Sequence, residues 1–541
     1  MKKLLCIVLA LIMVLSMAAC GTQSEAPATE APKADAPAVE APATEAPAVE
    51  APAGGIVRGG TIKMGKGIVL TNLNPTKVNA QDSDYEIIHQ IYENLIVADP
   101  SGNLNPGLAE SWEVVDDTTI VFYLRQGVKF HDGSDFNAEA CKTCMDYYLS
   151  EGDANWFQNQ LECLESVEII DDYTVQFNLS KPSSMFLTDI TNYVGLMIAP
   201  SAIEKGNDWM ATNACGTGPF KVGEYVETVS IELLANENYW QMGEDGKPLP
   251  YVDSVEITFM TDQTTKVNSL IAGDIHVTDY LVTTGIETLN ATEGVNTRAI
   301  ATSEVYAIFC NVNDEIASNK LVRQAIAYGI DRETLAYAIT RGLGGIGTFV
   351  SKEGQWFHDP TTPYTYDVEK AKALLAEAGY PDGVTLNMTC ISREPDNTVM
   401  QVLQEMLKAS GINLVLNSME RDEWVALWSK ERTGQIGLAK TTVPRVDPYV
   451  QIYTNLGAES ASNYSNYKGE EFNVLLESLS GIYDTEEQKQ VISEAQAAYL
   501  EDSATIFLYT LPRYNGYSDK VQNFGTAALG SLEFVNMWIA E

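Results

Sequence analysis

The chain has 541 residues, 45% of them hydrophobic, which at roughly 150 residues per domain is material for about three packed cores. Lys and Arg total 34 against 74 Asp and Glu, a formal net charge of −40; that nearly excludes a nucleic-acid binder, which needs a basic face to displace counterions, and anionic lipid repels the mature surface. Eight cysteines are too few for a disulfide-built scaffold, and four histidines (His89, His131, His276, His358) give a multi-histidine metal centre little to work with.

The first segment reads as an address. Met1-Lys2-Lys3 is a short positive region, and Leu4 to Met17 is an almost unbroken apolar run, too short for a comfortable membrane span. Met17-Ala18-Ala19-Cys20 follows and resembles the bacterial lipobox, which implies a signal peptide over 1–19, cleavage before Cys20 and a diacylglyceryl group on its sulfur. The alternative is an ordinary secretory signal cut at Ala19. From Gly21 to Gly55 a five-residue Glu/Asp-Ala-Pro unit recurs, beginning at Glu25, Glu30, Asp35, Glu40, Glu45 and Glu50. Proline at every fifth position blocks helix and sheet and favours polyproline II, so 20–55 is expected to be a stiff spacer reaching roughly 100 Å.

The body mixes short alternating strands with amphipathic helices. Trp112 to Leu124 holds two apolar runs separated by Asp116-Asp117, a hairpin signal, and Val167 to Leu179 repeats the design around Asp171-Asp172. Between them, Cys141-Lys-Thr-Cys144 puts two thiols on one face of a helix. Buried structural thiols are the leading reading; a disulfide, or a zinc site with Cys163 or Cys215, stays open. Cys310 and Cys390 sit in apolar strand-like segments and read as core. Asn319 precedes a helical run over Leu321 to Ile330. Gly342-Leu-Gly-Gly-Ile-Gly347 matches the dinucleotide fingerprint G-x-G-x-x-G, but it follows a helix (Asp331 to Arg341) and none opens after it. Pyrophosphate needs a strand-to-helix turn, so this is expected to be a flexible helix-end loop. Asp367 caps an Ala/Leu/Lys-rich run that stops at Gly379. Trp424 and Trp428 stand four residues apart on a helix, a spacing commoner in cores than at ligands. Asp484-Thr-Glu-Glu487 resembles a capping box. Strands and helices interleave without strict alternation, which predicts a mixed α/β body.

The sequence carries no G-x-S-x-G elbow, no H-E-x-x-H and no Walker A loop. Carboxylate pairs are too numerous to select by counting, so a secreted hydrolase borne on a stalk remains a second reading.

Seven ordered segments resemble the extracellular solute-binding proteins of the dipeptide, oligopeptide and nickel type, the receptors of ABC importers. They are Ile91 to Ile96, Asn105 to Trp112, Leu124 to Ser134, Gly216 to Phe220, Asn236 to Trp240, Val322 to Arg332 and Glu369 to Gly383. The resemblance implies an α/β, two-lobed periplasmic-binding-protein-like fold with an inserted subdomain and a central ligand cleft. Lobe I would comprise 55–92, 212–303 and 508–541, the inserted subdomain 93–211 and lobe II 304–507. It implies no enzyme activity and no cofactor. A monomer would capture a peptide or another small polar solute, close by hinge motion, and deliver it to a membrane permease driven by separate ATPases. A sensory receptor for peptide signals is the alternative within the same class.

Where this chain departs from the resemblance bears on the ligand. Peptide-binding members place an Asp shortly before a D/E-P pair; aligning Asp447-Pro448 on that pair puts Pro444 at the amino-gripping place, with Arg445 beside it. Asp447 could substitute, or cap the turn before Pro448. Arg445 favours an anionic group, including that of a nickel chelate. The other expected ligand contacts are Asn72 and Asn74 in the first strand-to-loop segment, Tyr280 and Tyr306 near the lobe crossover, and Trp356 and Trp428. The ligand stays open between peptide, oligosaccharide, nickel chelate and another metabolite.

Overall fold

Strand β1 (Thr61–Lys66) opens the body, alternating so that Ile62 and Met64 enter the core. The computed structural model describes residues 55–541, except 79–81, 156, 301, 303, 442–446, 527–530 and 541. The leader, Cys20, the spacer repeat, Pro444 and Arg445 therefore lie outside the described residues.

The chain then enters an inserted unit. A small hairpin of β2 (Ile96–Ala98) and β3 (Leu104–Pro106) precedes β4 (Ala109–Asp116) and β5 (Thr119–Leu124). The turn between the last two is made by Asp116, whose carboxylate accepts from the Thr118 amide at 2.9 Å. Asp171 does the same for Tyr173 at 2.9 Å, between β6 (Leu164–Asp171) and β7 (Thr174–Leu179). The four longer strands form one sheet in the order β4-β5-β7-β6. The helix Ala138–Ser150, capped by Asn137, places Cys141 and Cys144 on its buried side. Both are free thiols, as are Cys163, Cys215, Cys310 and Cys390. Cys144 accepts from the Ile198 amide at 3.2 Å, and burial pushes its thiol up to about 12, so it serves as an inert core residue. Among the described residues no group of three or more His, Cys, Asp or Glu could hold a metal ion.

Next come β8 (Phe220–Val226), β9 (Ser230–Ala235), β10 (Ser254–Phe259), β11 (Val277–Thr278) and β12 (Val295–Ile300). The chain crosses to a second sheet built from β13 (Val305–Cys310), β14 (Gly345–Ile346), β15 (Val384–Ile391), β16 (Ile412–Met419), β17 (Ile436–Lys440) and β18 (Thr505–Thr510). It returns at once in β19 (Arg513–Ser518). The first sheet has the order β12-β19-β11-β1-β10-β9-β8 and the second β14-β18-β13-β17-β15-β16. Each underlies one lobe of a two-lobed α/β fold. The two crossings lie side by side, because Ile300 pairs with Arg513 and Val305 with Thr510.

This topology aims strand ends at the crossings. In the first lobe β1 is parallel to both β10 and β11, and all three run toward them. In the second lobe the parallel strands β15 and β17 do the same. Open α/β sheets offer their ligand crevice at the carboxyl ends of strands. The lobes also touch away from the crossings, where the Trp356 amide donates to Ser101 at 3.0 Å, the Ser184 amide to Ser480 at 2.9 Å, and the Tyr483 hydroxyl to Asp117 at 3.2 Å. The inserted unit thus meets the second lobe directly.

Candidate functional site

The floor of the first lobe is ionic. Lys66 at the end of β1 and Lys266 on the helix Gln263–Ala272 are both fully buried. Lys66 pairs with Glu86 at 2.5 Å and approaches Asp279 at 3.7 Å; Lys266 donates to the Asp279 carboxylate and carbonyl, each at 2.8 Å. Burial pushes the Glu86 carboxyl above the ordinary carboxylate range, against the pull of Lys66. The quartet sets two cations against two acids and fixes two loops. Asp279 accepts from the Gly67 amide at 2.8 Å, and Gln263 donates to the Tyr280 carbonyl at 2.9 Å. Tyr280 is held there at φ +41°, a conformation that non-glycine residues avoid unless their surroundings impose it.

From Tyr280 a charged path crosses between the lobes. The Arg513 guanidinium lies 4.7 Å from the Tyr280 ring centroid and donates to its hydroxyl. Arg513 also pairs with Glu304 at 3.0 Å, and Glu304 pairs with Lys440 at 3.0 Å. Burial alone would raise the Glu304 carboxyl; Lys440 and Arg513 outweigh it and hold it below its ordinary value.

The wall of the second lobe is aromatic, with one ion pair. Tyr306 stacks on Tyr509 with centroids 4.7 Å apart and planes 6° from parallel. Asp396, the first residue of the helix Asp396–Lys408, is fully buried and accepts from Arg393 Nε at 3.1 Å. Asp396 Oδ1 and the Tyr509 hydroxyl find no hydrogen-bond partner among the described residues. Arg393, anchored through Nε, keeps its side chain 42% exposed just beyond β15. A guanidinium fixed this way offers its outer edge to a carboxylate or another planar anion.

The residues singled out from the sequence divide among different surroundings. Tyr280 and Tyr306 are both brought near the crossings, Tyr280 against Arg513 and Tyr306 against Tyr509. Trp356 is half-buried, packs edge-on against Phe357 at 5.3 Å, and its backbone bridges to the inserted unit. Asn72 is half-buried and turns its side chain onto the Asn74 amide at 2.8 Å. Three expectations need correction. Asn74 is fully buried and spends its amide on Tyr147 at 3.0 Å, Asn207 at 3.2 Å and the Thr76 amide at 3.0 Å, so it fastens the first lobe to the inserted unit. Trp428 is a core residue: its indole donates to Thr389 at 2.9 Å and lies so close to Gly434 and Gly437 that a Cβ on either would meet the ring at 2.5 Å. Asp447 caps the helix Pro448–Leu456, accepting from the Val450 amide at 2.9 Å. Arg445, beside it, is outside the described residues.

Sequence reasoning missed Arg393, Asp396, Glu304 and Arg513. Their one local signal is charge placed at the ends of apolar strands, and in so acidic a chain that signal is common.

The model for bacterial extracellular solute-binding proteins, family 5 Middle, matches residues 103–463. The Dipeptide-binding protein of Escherichia coli (strain K12) is 25% identical over 470 residues, covering 80% of this chain and 86% of that protein. Heme-binding protein A of Haemophilus influenzae is 29% identical over 475 residues, covering 79% and 84%. The solved structure of HbpA2 from Haemophilus parasuis superposes with a TM-score of 0.80 at 24% identity, over 89% of this chain and all of that one.

Proposed function

The chain belongs to family 5 of the bacterial extracellular solute-binding proteins, and we propose that it is the receptor of an ABC importer, capturing a peptide or a related small polar solute and handing it to a membrane permease. The relatives' names, dipeptide-binding and heme-binding, support a small solute. The observation that carries the reading is that Tyr280 lies just beyond β11 and Arg393 just beyond β15, strands of the two sheets that both run toward the crossings, while Tyr306 at the start of β13 stacks on Tyr509. Arg393, braced by Asp396, takes an anionic group of the solute, with Arg445 as a second cation; Tyr280, Tyr306 and Trp356 supply apolar faces, and Asn72 a polar contact. Binding and closure suffice, without chemistry on the solute. Neither a stalk-borne hydrolase nor a sensory receptor draws support from these relatives.

The lobe boundaries expected from the sequence go with this reading, as does a monomer with one cleft. The lipid on Cys20 would tether the body to the outer face of the membrane, and the proline-rich spacer would hold it clear. Among the described residues no helix is long and apolar enough to cross a membrane.

Native mass spectrometry of the Ile56–Glu541 body, which forms its own compact unit, tests the solute class and needs no candidate solute in hand. A ladder of extra masses that fragments into amino-acid residues is the expected result for protein purified without added ligand. A single discrete mass of another composition would move the solute outside the peptides, and a solute chemically altered on incubation would overturn the receptor reading.

A further inference from the structure

The glycine-rich segment Gly342–Gly347 is pinned in place, contrary to the flexible loop expected from its sequence. The helix Arg332–Thr340 ends with Arg341 and Gly342 at φ +53° and +81°, which swings the chain off the helix axis. Gly345 and Ile346 then pair with Thr510 and Tyr509, the last residues before the return crossing. The glycines are required by this path. A Cβ on Gly344 would lie 2.2 Å from the Thr510 carbonyl oxygen, and one on Gly347 would lie 2.3 Å from Val305, the first residue after the outward crossing. The segment runs against both crossings at once.

Between these glycines Leu343 leaves its own lobe. It packs on a first-lobe cluster that includes Val267, Leu270, Ile286, Leu289 and Tyr514. The Tyr514 hydroxyl donates to the Leu343 carbonyl at 3.3 Å, and Arg341 forms an ion pair with Glu287 on the first-lobe helix Thr283–Asn290. One short stretch of the second lobe therefore contributes an apolar knob, a backbone acceptor and a cation to the first.

We propose that Gly342–Gly347 is an interlobe strap, with Leu343 as its knob: a noncovalent link beside the two covalent crossings, separate from the contacts of the inserted unit, that helps hold the lobes in the arrangement seen here and has to unseat when they open. Two crossings alone define a hinge; Leu343 and Arg341, which reach past the crossings to the first-lobe cluster and to Glu287, resist rotation about it. This rests on the reading that the protein works by lobe closure.

The test is an interlobe distance distribution from electron–electron resonance on the Ile56–Glu541 body, which forms its own compact unit, with nitroxides on Val474→Cys in the second lobe and Val229→Cys in the first, both exposed. The native cysteines of the body are buried and leave the introduced thiols to react. The wild-type background is expected to give one narrow distance. Leu343→Ala is expected to add a longer population, and Leu343→Asp to enlarge it. Unfolding and refolding in guanidinium to strip carried solute should lengthen the distance more in the variants than in the wild type. Leu343 is half-buried, so the alanine variant keeps the fold and decides the matter if the aspartate variant does not fold. Identical distributions in wild type and Leu343→Ala, before and after stripping, would overturn the strap. A wild-type distance unmoved by stripping, with longer distances in the variants, would instead count against solute-driven closure and leave the strap standing.

Discussion

At the scale of single residues, burial separates side chains that the sequence could only group by type. Trp356 and Trp428 were both legible as aromatic candidates, and the helical spacing of Trp428 from Trp424 was the one local sign that leaned it toward the core. Trp428 fills a slot cleared by two glycines and satisfies its indole on Thr389, so Trp428→Ala should cost about 3–5 kcal/mol of stability. Trp356→Ala, at a half-buried site, should cost about 1 kcal/mol or less and weaken capture of the copurifying solute. Thermal unfolding and calorimetric titration of the two variants check this; equal stability losses would place Trp356 in the core as well. Arg393 and Asp396 were not legible, since a loop of four residues after a strand has no periodicity to read. Burial raises the Asp396 carboxyl above its ordinary value, with Arg393 pulling the other way. An acid whose pKa is higher folded than unfolded subtracts stability once the pH passes its unfolded value. Asp396→Asn removes that charge at nearly constant shape. At pH 7 its unfolding temperature should hold or rise, by the equivalent of about 1 kcal/mol at most, while solute binding weakens because Arg393 loses its brace. A marked fall in unfolding temperature would show that the ion pair stabilises the fold outright.

At the scale of elements, the sequence was most readable where one residue settles a local choice. The aspartates at 116 and 171 accept the turn amides of their hairpins, and Asn319, Asp367 and Asp484 each accept an amide of the helix they precede. These are contacts within a few residues, so composition carries them. Strand β14 is the opposite case. Two glycine-rich residues become a strand because Tyr509 and Thr510 lie alongside, and no local propensity announces that. Glu304 belongs with β14: its partners Lys440 and Arg513 are 136 and 209 residues away. Its carboxyl is held below the ordinary value, so its pairs contribute stability above the ordinary glutamate range, and that contribution is lost as the pH falls through the lowered value. Glu304→Gln should cost about 2 kcal/mol at pH 7, between the worth of an exposed pair and that of a buried one. It should also remove part of the acid sensitivity. Unfolding temperatures from pH 7 down to pH 3 report both, and parallel profiles for wild type and variant would mean that the two pairs contribute nothing to the hinge.

At the scale of the whole molecule, the strand order could not be read from local pattern. The first sheet places β19, from the end of the chain, between β12 and β11, and sets β11 beside β1; only the return of the chain's end to the first lobe was expected, from resemblance to a known family. The net charge, by contrast, was legible from the start, and it makes a prediction that the ion pairs complicate. Many described pairs are solvent-exposed, such as Lys142 with Asp146 and Lys408 with Glu405, and each is worth about 0–1 kcal/mol, less in salt. The buried quartet around Lys66 and Lys266 is sealed from solvent and little screened. Against these stands a formal charge of −40, whose self-repulsion opposes compactness and is relieved by salt. The repulsion outweighs the exposed pairs, because the 74 acids outnumber the 34 basic residues by more than two to one. Raising sodium chloride from low to about physiological ionic strength brings the Debye length near 8 Å, enough to screen acids from one another while leaving the quartet intact. The unfolding temperature of the body should therefore rise with salt and then level off. A fall over that range would mean that the exposed pairs, taken as a network, hold the surface together more strongly than its charge drives it apart.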